Sequence, residues 1–346
     1  MCDAMIRFGI IGYGYWGPNL ARCFAEAEGA QLAAICDRSP DALARASRRF
    51  PGTSCVTEVT SLIADPTIDA VVIATPVRTH YTLALAALRA GKHVLVEKPM
   101  TETSAQAEIL IEEAAKRNLV LMVDHTFCYT PAVQKIRELV SSGELGQVYY
   151  YDSVRVNLGL FHPDVNALWD LAVHDFAILE YVLDEHPIAV SASGARHVVG
   201  GQENMAHVTL FFDSGTTAHV NVNWLAPVKV RQVLVGGSRK MVVYDDLQPS
   251  EKIKVYDKGV TISPEPDQLH EMRVGYRTGD MWAPQIPTRE ALKTEADHFI
   301  DCIVHGATPL TGGDVGLRVV ELLEGASASM GRRGYPVEFG QLRRAS

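Results

Sequence analysis

The sequence predicts an α/β protein of two domains: a doubly wound parallel sheet, then an α+β domain with a large, mostly antiparallel open sheet. Three observations predict it. Strand and helix patterns alternate over residues 1–125, period-2 strands with short turns fill residues 188–256, and two helical patterns end the chain. Alternation with helices indicates parallel strands, and successive hairpins indicate antiparallel strands. We place the domain boundary near residue 125, so that residues 126–346 form the second domain.

The elements follow from local patterns. Short apolar runs predict the strands of the first domain, glycine or proline marks several helix ends, and Ser104 or Thr103 is the expected cap of one helix. The predicted strands are 6–11, 31–36, 70–74, 93–96 and 120–123, and the helices between them are 18–28, 40–50, 79–90 and 103–117. In the second domain we predict helices at 131–141, 169–183, 289–305 and 314–330.

Composition and charge exclude several classes of function. The 346 residues carry a net charge of −9 without a run of like charges, so the chain lacks a basic patch for nucleic acid or an anionic membrane. No apolar stretch of about 18 residues predicts a membrane span, and the first residues do not resemble a secretory signal. The six cysteines lack metal-type spacing and are expected to be reduced. We therefore expect a cytoplasmic protein.

A glycine-rich turn follows the first strand. Residues 12–17 read Gly-Tyr-Gly-Tyr-Trp-Gly, a GxGxxG pattern between a predicted strand and a predicted helix. Gly12 permits the tight turn, Gly14 lets the backbone approach a pyrophosphate, and Gly17 lets helix and strand pack closely. The N–H groups at the helix start and the positive end of its dipole favour phosphate. The turn therefore predicts a dinucleotide site of the Rossmann type.

Asp37 indicates which dinucleotide binds. It lies 20 residues after Gly17, at the end of the second predicted strand, where a carboxylate can accept bonds from both ribose hydroxyls of NAD. The same charge would repel the 2′-phosphate of NADP, although Arg38 beside it would soften that repulsion. The pattern favours NAD over NADP. The alternative is a turn that binds nothing, with Asp37 as a helix cap.

Motifs further along resemble a known enzyme family. Residues 74–80 read ATPVRTH and residues 90–99 read AGKHVLVEKP. They are similar to the TPxxxH-like loop and the EKP motif of the oxidoreductase family that includes glucose-fructose oxidoreductase, inositol dehydrogenase and MocA. Residues 170–175, DLAVHD, resemble its DxxxHD helix start, and the segment from Glu295 to Pro309 resembles its closing pattern. The resemblance spans nearly the whole chain.

The glycine turn and residues 276–280 with Pro284 resemble one branch of that family, which acts on sugars in surface-polysaccharide and natural-product pathways. The sequence departs from the family in two places. Trp169 and Ala172 stand where many members have glycines, and residues 125–129 read HTFCY where many members have an arginine. These departures concern the substrate rather than the chemistry.

The resemblance implies three catalytic residues. Lys98 follows the carboxyl end of a parallel strand, where its ammonium could stabilise negative charge on a reacting oxygen. His174 is the candidate general base, since imidazole can take and return a proton near neutrality. Asp170, four residues earlier on a predicted helix, would bind a sugar hydroxyl or tune the other two groups. The alternatives are a surface lysine, a core histidine and a helix cap. The family also implies a cis bond before Pro99.

Other residues are candidates by position. Expected cofactor contacts, besides the glycines, Asp37 and Lys98, are Tyr15, Trp16, Arg38, Thr75, Pro76, His80 and Glu97. Expected substrate contacts, besides Asp170 and His174, are His125, Tyr129, Asn157 and His162, with loop packing as the alternative for each. Asp175 is expected to orient backbone groups. No metal site is expected, because the histidines and carboxylates show no HExxH-type set.

The sequence therefore predicts an NAD-dependent oxidoreductase that moves a hydride between nicotinamide and a secondary alcohol of a sugar, such as C3 of a nucleotide-linked pyranose. One alternative is a glycosidase-like elimination with recycled NAD, and another is a non-catalytic NAD-binding regulatory subunit. Residues 126–346 are expected to bind the substrate. Their open sheet has a free face, which predicts a homodimer or homotetramer because an exposed apolar face tends to be covered.

Overall fold

The computed structural model describes residues 5–159, 165–198, 201–262 and 274–340. The chain divides into two compact units. The first comprises residues 1–130 and 289–321, and the second comprises residues 131–288 and 322–346. The boundary near residue 125 was predicted from the end of the alternating pattern, but the break between the units follows Thr130, and residues 289–321 return to the first unit.

The described residues form nine α-helices. They are α1 (Gly17–Glu26), α2 (Pro40–Arg49), α3 (Val59–Ala64), α4 (His80–Arg89), α5 (Ser104–Arg117), α6 (Pro131–Ser141), α7 (Val173–Val182), α8 (Ala291–His305) and α9 (Gly313–Gly331). Thr103 caps α5, its side chain accepting a bond from Gln106 N at 3.3 Å. No helix in the described part of the chain has both the length and the apolar character needed to cross a membrane.

The first unit contains a six-stranded parallel sheet. Its strands are β1 (Ile6–Ile11), β2 (Ala30–Cys36), β3 (Ser54–Val56), β4 (Ala70–Ile73), β5 (His93–Glu97) and β6 (Leu121–Asp124). The spatial order is β3-β2-β1-β4-β5-β6, so the chain reverses direction across the sheet between β1 and β4. This order confirms the predicted doubly wound sheet, in which ligands bind beyond the carboxyl ends of the strands at the reversal.

Aromatic packing explains why α8 belongs to the first unit. The rings of Phe8 on β1 and Phe24 on α1 lie 4.4 Å apart between centroids. Phe299 of α8 completes the cluster at 6.0 Å from Phe8 and 6.3 Å from Phe24. All three rings are fully buried, and each buried aromatic side chain contributes about 1.5–3 kcal/mol of hydrophobic stabilisation. The first unit therefore needs a helix encoded almost 300 residues after its first strand.

The second unit contains a nine-stranded sheet. Its strands are β7 (Val148–Leu158), β8 (Ala189–Ala195), β9 (Met205–Phe211), β10 (Thr217–Asn223), β11 (Leu225–Gly237), β12 (Met241–Asp245), β13 (Ile253–Ile262), β14 (Val274–Trp282) and β15 (Val337–Glu338). The order is β14-β13-β12-β11-β7-β10-β9-β8-β15. Neighbouring strands are antiparallel except β7 and β10, which are parallel. The predicted large, mostly antiparallel sheet is confirmed.

One helix begins differently from its prediction. The sequence predicts a helix over 169–183, but residues Leu168–Ala172 form a π-helical turn, and α7 begins only at Val173. Turns of this kind are rare and occur frequently at functional sites. The turn contains Asp170 and precedes His174, so the spacing of these two residues is not that of a continuous α-helix.

Candidate active site

The glycine turn combines two structural glycines with one open position. Gly12 has a φ of +98°, and a Cβ there would lie 2.4 Å from Ala74 O. A Cβ at Gly17 would lie 2.0 Å from Gly12 O, so the start of α1 passes directly over the turn. A Cβ at Gly14 would meet no described atom within 4 Å. Gly12 and Gly17 are thus required by the fold, whereas Gly14 leaves room for a ligand.

A pocket lies beside this turn at the carboxyl ends of β1, β2 and β4. Its volume is about 600 Å³. The lining includes the predicted residues Gly12, Gly14, Asp37, Arg38, Thr75 and Pro76. It also includes Thr57, Glu58 and Val59, which the sequence did not indicate because β3 and α3 are too short to show a periodic pattern. Arg78, within the quoted segment 74–80, lines the pocket as well.

Asp37 is held in a defined orientation in the pocket wall. Its Oδ2 accepts a hydrogen bond from Tyr13 N at 2.6 Å, and its Oδ1 accepts one from Ser39 N at 2.8 Å. Each carboxylate oxygen keeps a second lone pair for a ribose hydroxyl. These acceptor oxygens fit the adenosine ribose of NAD, and the space beside Gly14 fits its pyrophosphate. The residues present therefore fit the cofactor that the turn predicts.

Two aromatic residues follow Gly14. Tyr15 is 91% exposed, and Trp16 donates its indole N–H to Asp124 Oδ2 at 2.7 Å. Trp16 therefore ties the glycine turn to the end of β6. Of the two predicted cofactor contacts, Tyr15 is accessible to a ligand, whereas the polar atom of Trp16 is already bonded within the unit.

His80 connects two loops that carry predicted site residues. The buried ring lies between two carbonyl groups, with Nε2 at 2.8 Å from Thr75 O and Nδ1 at 2.9 Å from Pro99 O. Burial lowers the pKa of His80, which favours a neutral ring that can donate to one carbonyl only. His80 does not line the pocket. It joins the loop after β4 to the turn that follows β5.

Lys98 lies in that turn, directly after β5. The Lys98–Pro99 peptide bond is cis, as the family resemblance implies. The Lys98 ammonium contributes to lowering the pKa values of both His80 and His125, although burial is the larger cause for each. Lys98 therefore carries its charge close to two imidazole rings at the carboxyl end of β5. Neither Lys98 nor Glu97, both expected cofactor contacts, is among the residues that line the pocket beside the glycine turn.

Three carboxyl groups meet beside Lys98. Glu97 ends β5, Asp124 ends β6, and Glu295 lies on α8 with no exposed surface. Burial raises the pKa values of Glu97 and Glu295 well above the usual range, and the nearby Asp124 raises them further. Their protonated forms are therefore favoured, as expected when like charges share a site with little water. Glu97, a predicted cofactor contact, is thus half-buried within a cluster of carboxyl groups.

His125 follows this cluster along the chain. It is 1% exposed, and neither ring nitrogen has a hydrogen-bond partner among the described residues. A buried polar atom without a partner costs free energy, so the ring is suited to meet a ligand. Burial, assisted by the Lys98 charge, lowers the pKa of His125 to about 3.

The low pKa of His125 predicts a loss of stability in acid. An unfolded histidine titrates near ~6.5. Below that pH the histidine of the unfolded state binds a proton, whereas His125 in the folded state binds one only near its pKa of about 3. The folded state is therefore destabilised as the pH falls through this range. Between pH 7 and pH 5 this linkage should cost about 2 kcal/mol of unfolding free energy. We expect His125→Asn to lose correspondingly less stability over that range in urea unfolding. His207→Asn, at an exposed histidine, is the control, and parallel profiles for His125→Asn and the unmodified protein would contradict the prediction.

Tyr129 occupies the core of the first unit. It is 2% exposed, and its hydroxyl lies 3.2 Å from Thr311 Oγ1 and 3.6 Å from Met122 Sδ. Thr311 Oγ1 donates in turn to Val123 O at 2.7 Å. The predicted substrate contact at Tyr129 is therefore not retained, because its only polar atom is used in packing α8 and the following loop against the sheet.

The second unit holds the other predicted catalytic residues. Asp170 lies in the π-helical turn, where its Oδ2 accepts a bond from Trp224 Nε1 at 3.2 Å. His174 is the second residue of α7. Asn157 is half-buried near the end of β7, and its Nδ2 is within 3.1 Å of where a Cβ of Gly159 would lie. His162 lies outside the described residues.

Asp175 forms a buried ion pair. Its Oδ2 accepts from Arg155 Nε at 2.7 Å, and its Oδ1 accepts from Ser153 Oγ at 2.6 Å. Both charged side chains are at most 5% exposed. Asp175 therefore anchors the first turn of α7 to β7 through side chains, and this fixes the backbone that carries His174.

Comparisons with known proteins agree with this architecture. Residues 6–125 match the model of an oxidoreductase family with an NAD-binding Rossmann fold, and residues 133–243 match the C-terminal domain of the Gfo/Idh/MocA family. An uncharacterised oxidoreductase of Escherichia coli, YdgJ, is 33% identical over 79% of this chain and 80% of its own length.

A characterised relative and its solved structure are also similar. The UDP-N-acetylglucosamine 3-dehydrogenase of Acidithiobacillus ferrooxidans is 27% identical over 91% of this chain and 94% of that enzyme. One solved structure of that enzyme superposes with a TM-score of 0.77 at 25% identity, covering 94% of this chain and 97% of that one. This chain belongs to the Gfo/Idh/MocA oxidoreductase family, as an NAD(P)-dependent dehydrogenase whose residues 6–125 form an NAD-binding Rossmann domain.

Proposed function

We propose that this enzyme moves a hydride reversibly between NAD and a secondary alcohol of a nucleotide-linked pyranose, such as the C3 hydroxyl. The position of Lys98 carries the proposal, because its ammonium lies at the carboxyl end of β5 in the unit that holds the dinucleotide pocket. The motifs shared with sugar dehydrogenases support the alcohol as substrate, and the similarity to a UDP-sugar 3-dehydrogenase supports the nucleotide-linked class.

Each proposed catalytic group has a separate task. Residues of the glycine turn and Asp37 would hold NAD, which would supply the hydride acceptor in the oxidative direction. Lys98 donates a hydrogen bond to the substrate oxygen and stabilises the negative charge that develops there. His174 accepts the hydroxyl proton in its neutral form, and it returns that proton in the reverse direction. Asp170 orients the imidazole or a neighbouring sugar hydroxyl, and Asp175 with Arg155 holds the helix that carries His174.

His125 and Asn157 are the proposed substrate contacts. His125 has a buried ring whose nitrogens lack protein partners among the described residues, and a sugar hydroxyl can both donate to and accept from such a ring. Asn157 offers an amide at the end of β7. Neutral donors and acceptors suit a sugar, because hydroxyl groups require paired hydrogen bonds and carry no charge.

The test is a substrate panel with the purified enzyme and NAD. UDP-N-acetylglucosamine, UDP-glucose and free inositol are compared by the absorbance of reduced nicotinamide. We expect turnover with a nucleotide-linked sugar and a kcat/KM at least about tenfold above that for the free polyol, because remote binding energy contributes to catalysis. Release of an aglycone without net reduction would indicate the elimination instead. Bound NAD without turnover of any sugar would indicate a regulatory subunit.

We also propose that the enzyme is a homodimer or homotetramer joined through the sheet of the second unit. One face of that sheet is buried within the unit, and its side chains are 0–1% exposed: Tyr151, Val235, Val242 and Val255. The other face is half-exposed and carries six apolar side chains: Tyr150, Val154, Leu234, Met241, Val243 and Tyr256. We expect a dimeric or tetrameric mass by light scattering at micromolar concentration and a smaller one for Leu234→Lys. A monomer would contradict the proposal.

A further inference from the structure

Asp170 accepts a hydrogen bond from a tryptophan that is almost completely buried. Trp224 directly follows β10 and is 1% exposed, and its Nε1 lies 3.2 Å from Asp170 Oδ2. Hydrogen bonds to an ionised group are stronger than neutral ones, and water competes little at a buried donor. The bond therefore fixes the orientation of the carboxylate as well as stabilising it.

Contacts other than the bond to Asp170 also hold the indole ring in place. The backbone N–H of Trp224 donates to Asn204 O at 2.9 Å, and its carbonyl accepts from Gly159 N at 2.9 Å. A Cβ at residue 159 would lie 2.6 Å from Trp224 Cδ1, so the ring occupies space that only glycine leaves. The donor is thus positioned by the end of β7 and the segment before β9.

The turn that carries Asp170 is also held in place. Asp170 N donates to Asn166 O at 3.0 Å, and Trp169 N donates to Asn166 Oδ1 at 3.1 Å. The neighbouring indole of Trp169 donates to Ser327 Oγ at 2.9 Å. Two adjacent residues of this turn are thus held through side chains: Trp169 donates its indole N–H to Ser327, and Asp170 accepts a bond from the indole of Trp224.

We propose that Trp224 is a positioning residue for catalysis: its indole N–H holds the Asp170 carboxylate in the orientation used with His174. The proposal rests on the function proposed above, in which Asp170 acts beside His174. Trp224 touches neither substrate nor cofactor in this role. It acts through Asp170, and a phenyl ring at the same place would fill most of the space without donating a hydrogen bond.

The test is Trp224→Phe in a double-mutant cycle with Asp170→Asn. We expect Trp224→Phe to lower kcat about tenfold with little change in KM for NAD, as for one lost hydrogen bond to a charged group. In the Asp170→Asn background the same change should lower kcat less than about twofold, because the two residues act as a pair. Trp282→Phe is the matched control, since it removes an indole N–H on β14, at the far edge of the same sheet and outside the turn that carries Asp170.

Two further measurements separate the possible failures. If Trp224→Phe does not fold, Gly159→Ala is the alternative variant, because it displaces the indole without removing it. The added methyl group also approaches Asn157, so the signal of the Asp170 carboxylate, and not kcat alone, is the deciding measurement for this variant. Carbon-13 labelling of the aspartate side chains needs no substrate. The Asp170 signal, assigned with Asp170→Asn, should move in Trp224→Phe and not in Trp282→Phe.

Equal effects of Trp224→Phe in both backgrounds, or an unmoved Asp170 signal, would overturn the role of Trp224 alone. Unchanged turnover in Asp170→Asn would remove Asp170 from the proposed mechanism, and the role of Trp224 with it.

Discussion

Lys98→Ala is expected to lower turnover about a thousandfold while NAD affinity changes less than about threefold. The ammonium stabilises charge that develops on the substrate oxygen only as the reaction proceeds, so its removal affects the transition state more than the bound cofactor. Turnover is measured with the sugar that the substrate panel identifies, and NAD affinity is measured by calorimetric titration.

Two control variants sharpen this prediction. Lys116→Ala removes an exposed lysine of α5 and should leave both quantities unchanged. Lys98→Arg keeps a positive charge but moves and widens the donor group, so it should recover little turnover if the position of the ammonium matters. Turnover of Lys98→Ala within tenfold of the unmodified enzyme would remove Lys98 from the mechanism.

The local parts of the site could be predicted from the sequence. The turn from Gly12 to Gly17 and the acid at Asp37 are set by short-range backbone requirements, since a tight turn, a close helix crossing and a strand end each need particular residues at fixed spacing. Gly12, Gly14 and Asp37 line the pocket, and the start of α1 at Gly17 passes over the turn. Thr57, Glu58 and Val59 were missed because a three-residue strand and a six-residue helix leave no periodic signal.

Contacts between distant segments could not be predicted. Tyr129 bonds to Thr311, which is 182 residues away, and this changes it from a candidate substrate contact into a core residue. Phe299 packs α8 against the first sheet through its contact with Phe8, which is also far away in the sequence. Arg155 bonds Asp175 across 20 residues, and Trp224 bonds Asp170 across 54 residues. A single sequence contains no periodicity that identifies such pairs.

The second prediction compares two glycines of the same turn. Gly14→Ala should fold with an unchanged melting temperature, because its Cβ meets no described atom within 4 Å and its φ is not in the left-handed region. It should nevertheless weaken NAD binding at least about tenfold, since the methyl group occupies the space beside the pyrophosphate.

Gly17→Ala should instead destabilise the fold by about 3 kcal/mol, because its Cβ would lie 2.0 Å from a backbone oxygen that cannot move alone. Calorimetric titration with NAD and thermal unfolding measure the two effects separately. If Gly14→Ala bound NAD normally, the cofactor would not approach this turn, and the assignment of the pocket would be wrong. If Gly17→Ala kept full stability, the close crossing of α1 over the turn would not be as tight as the structure has it.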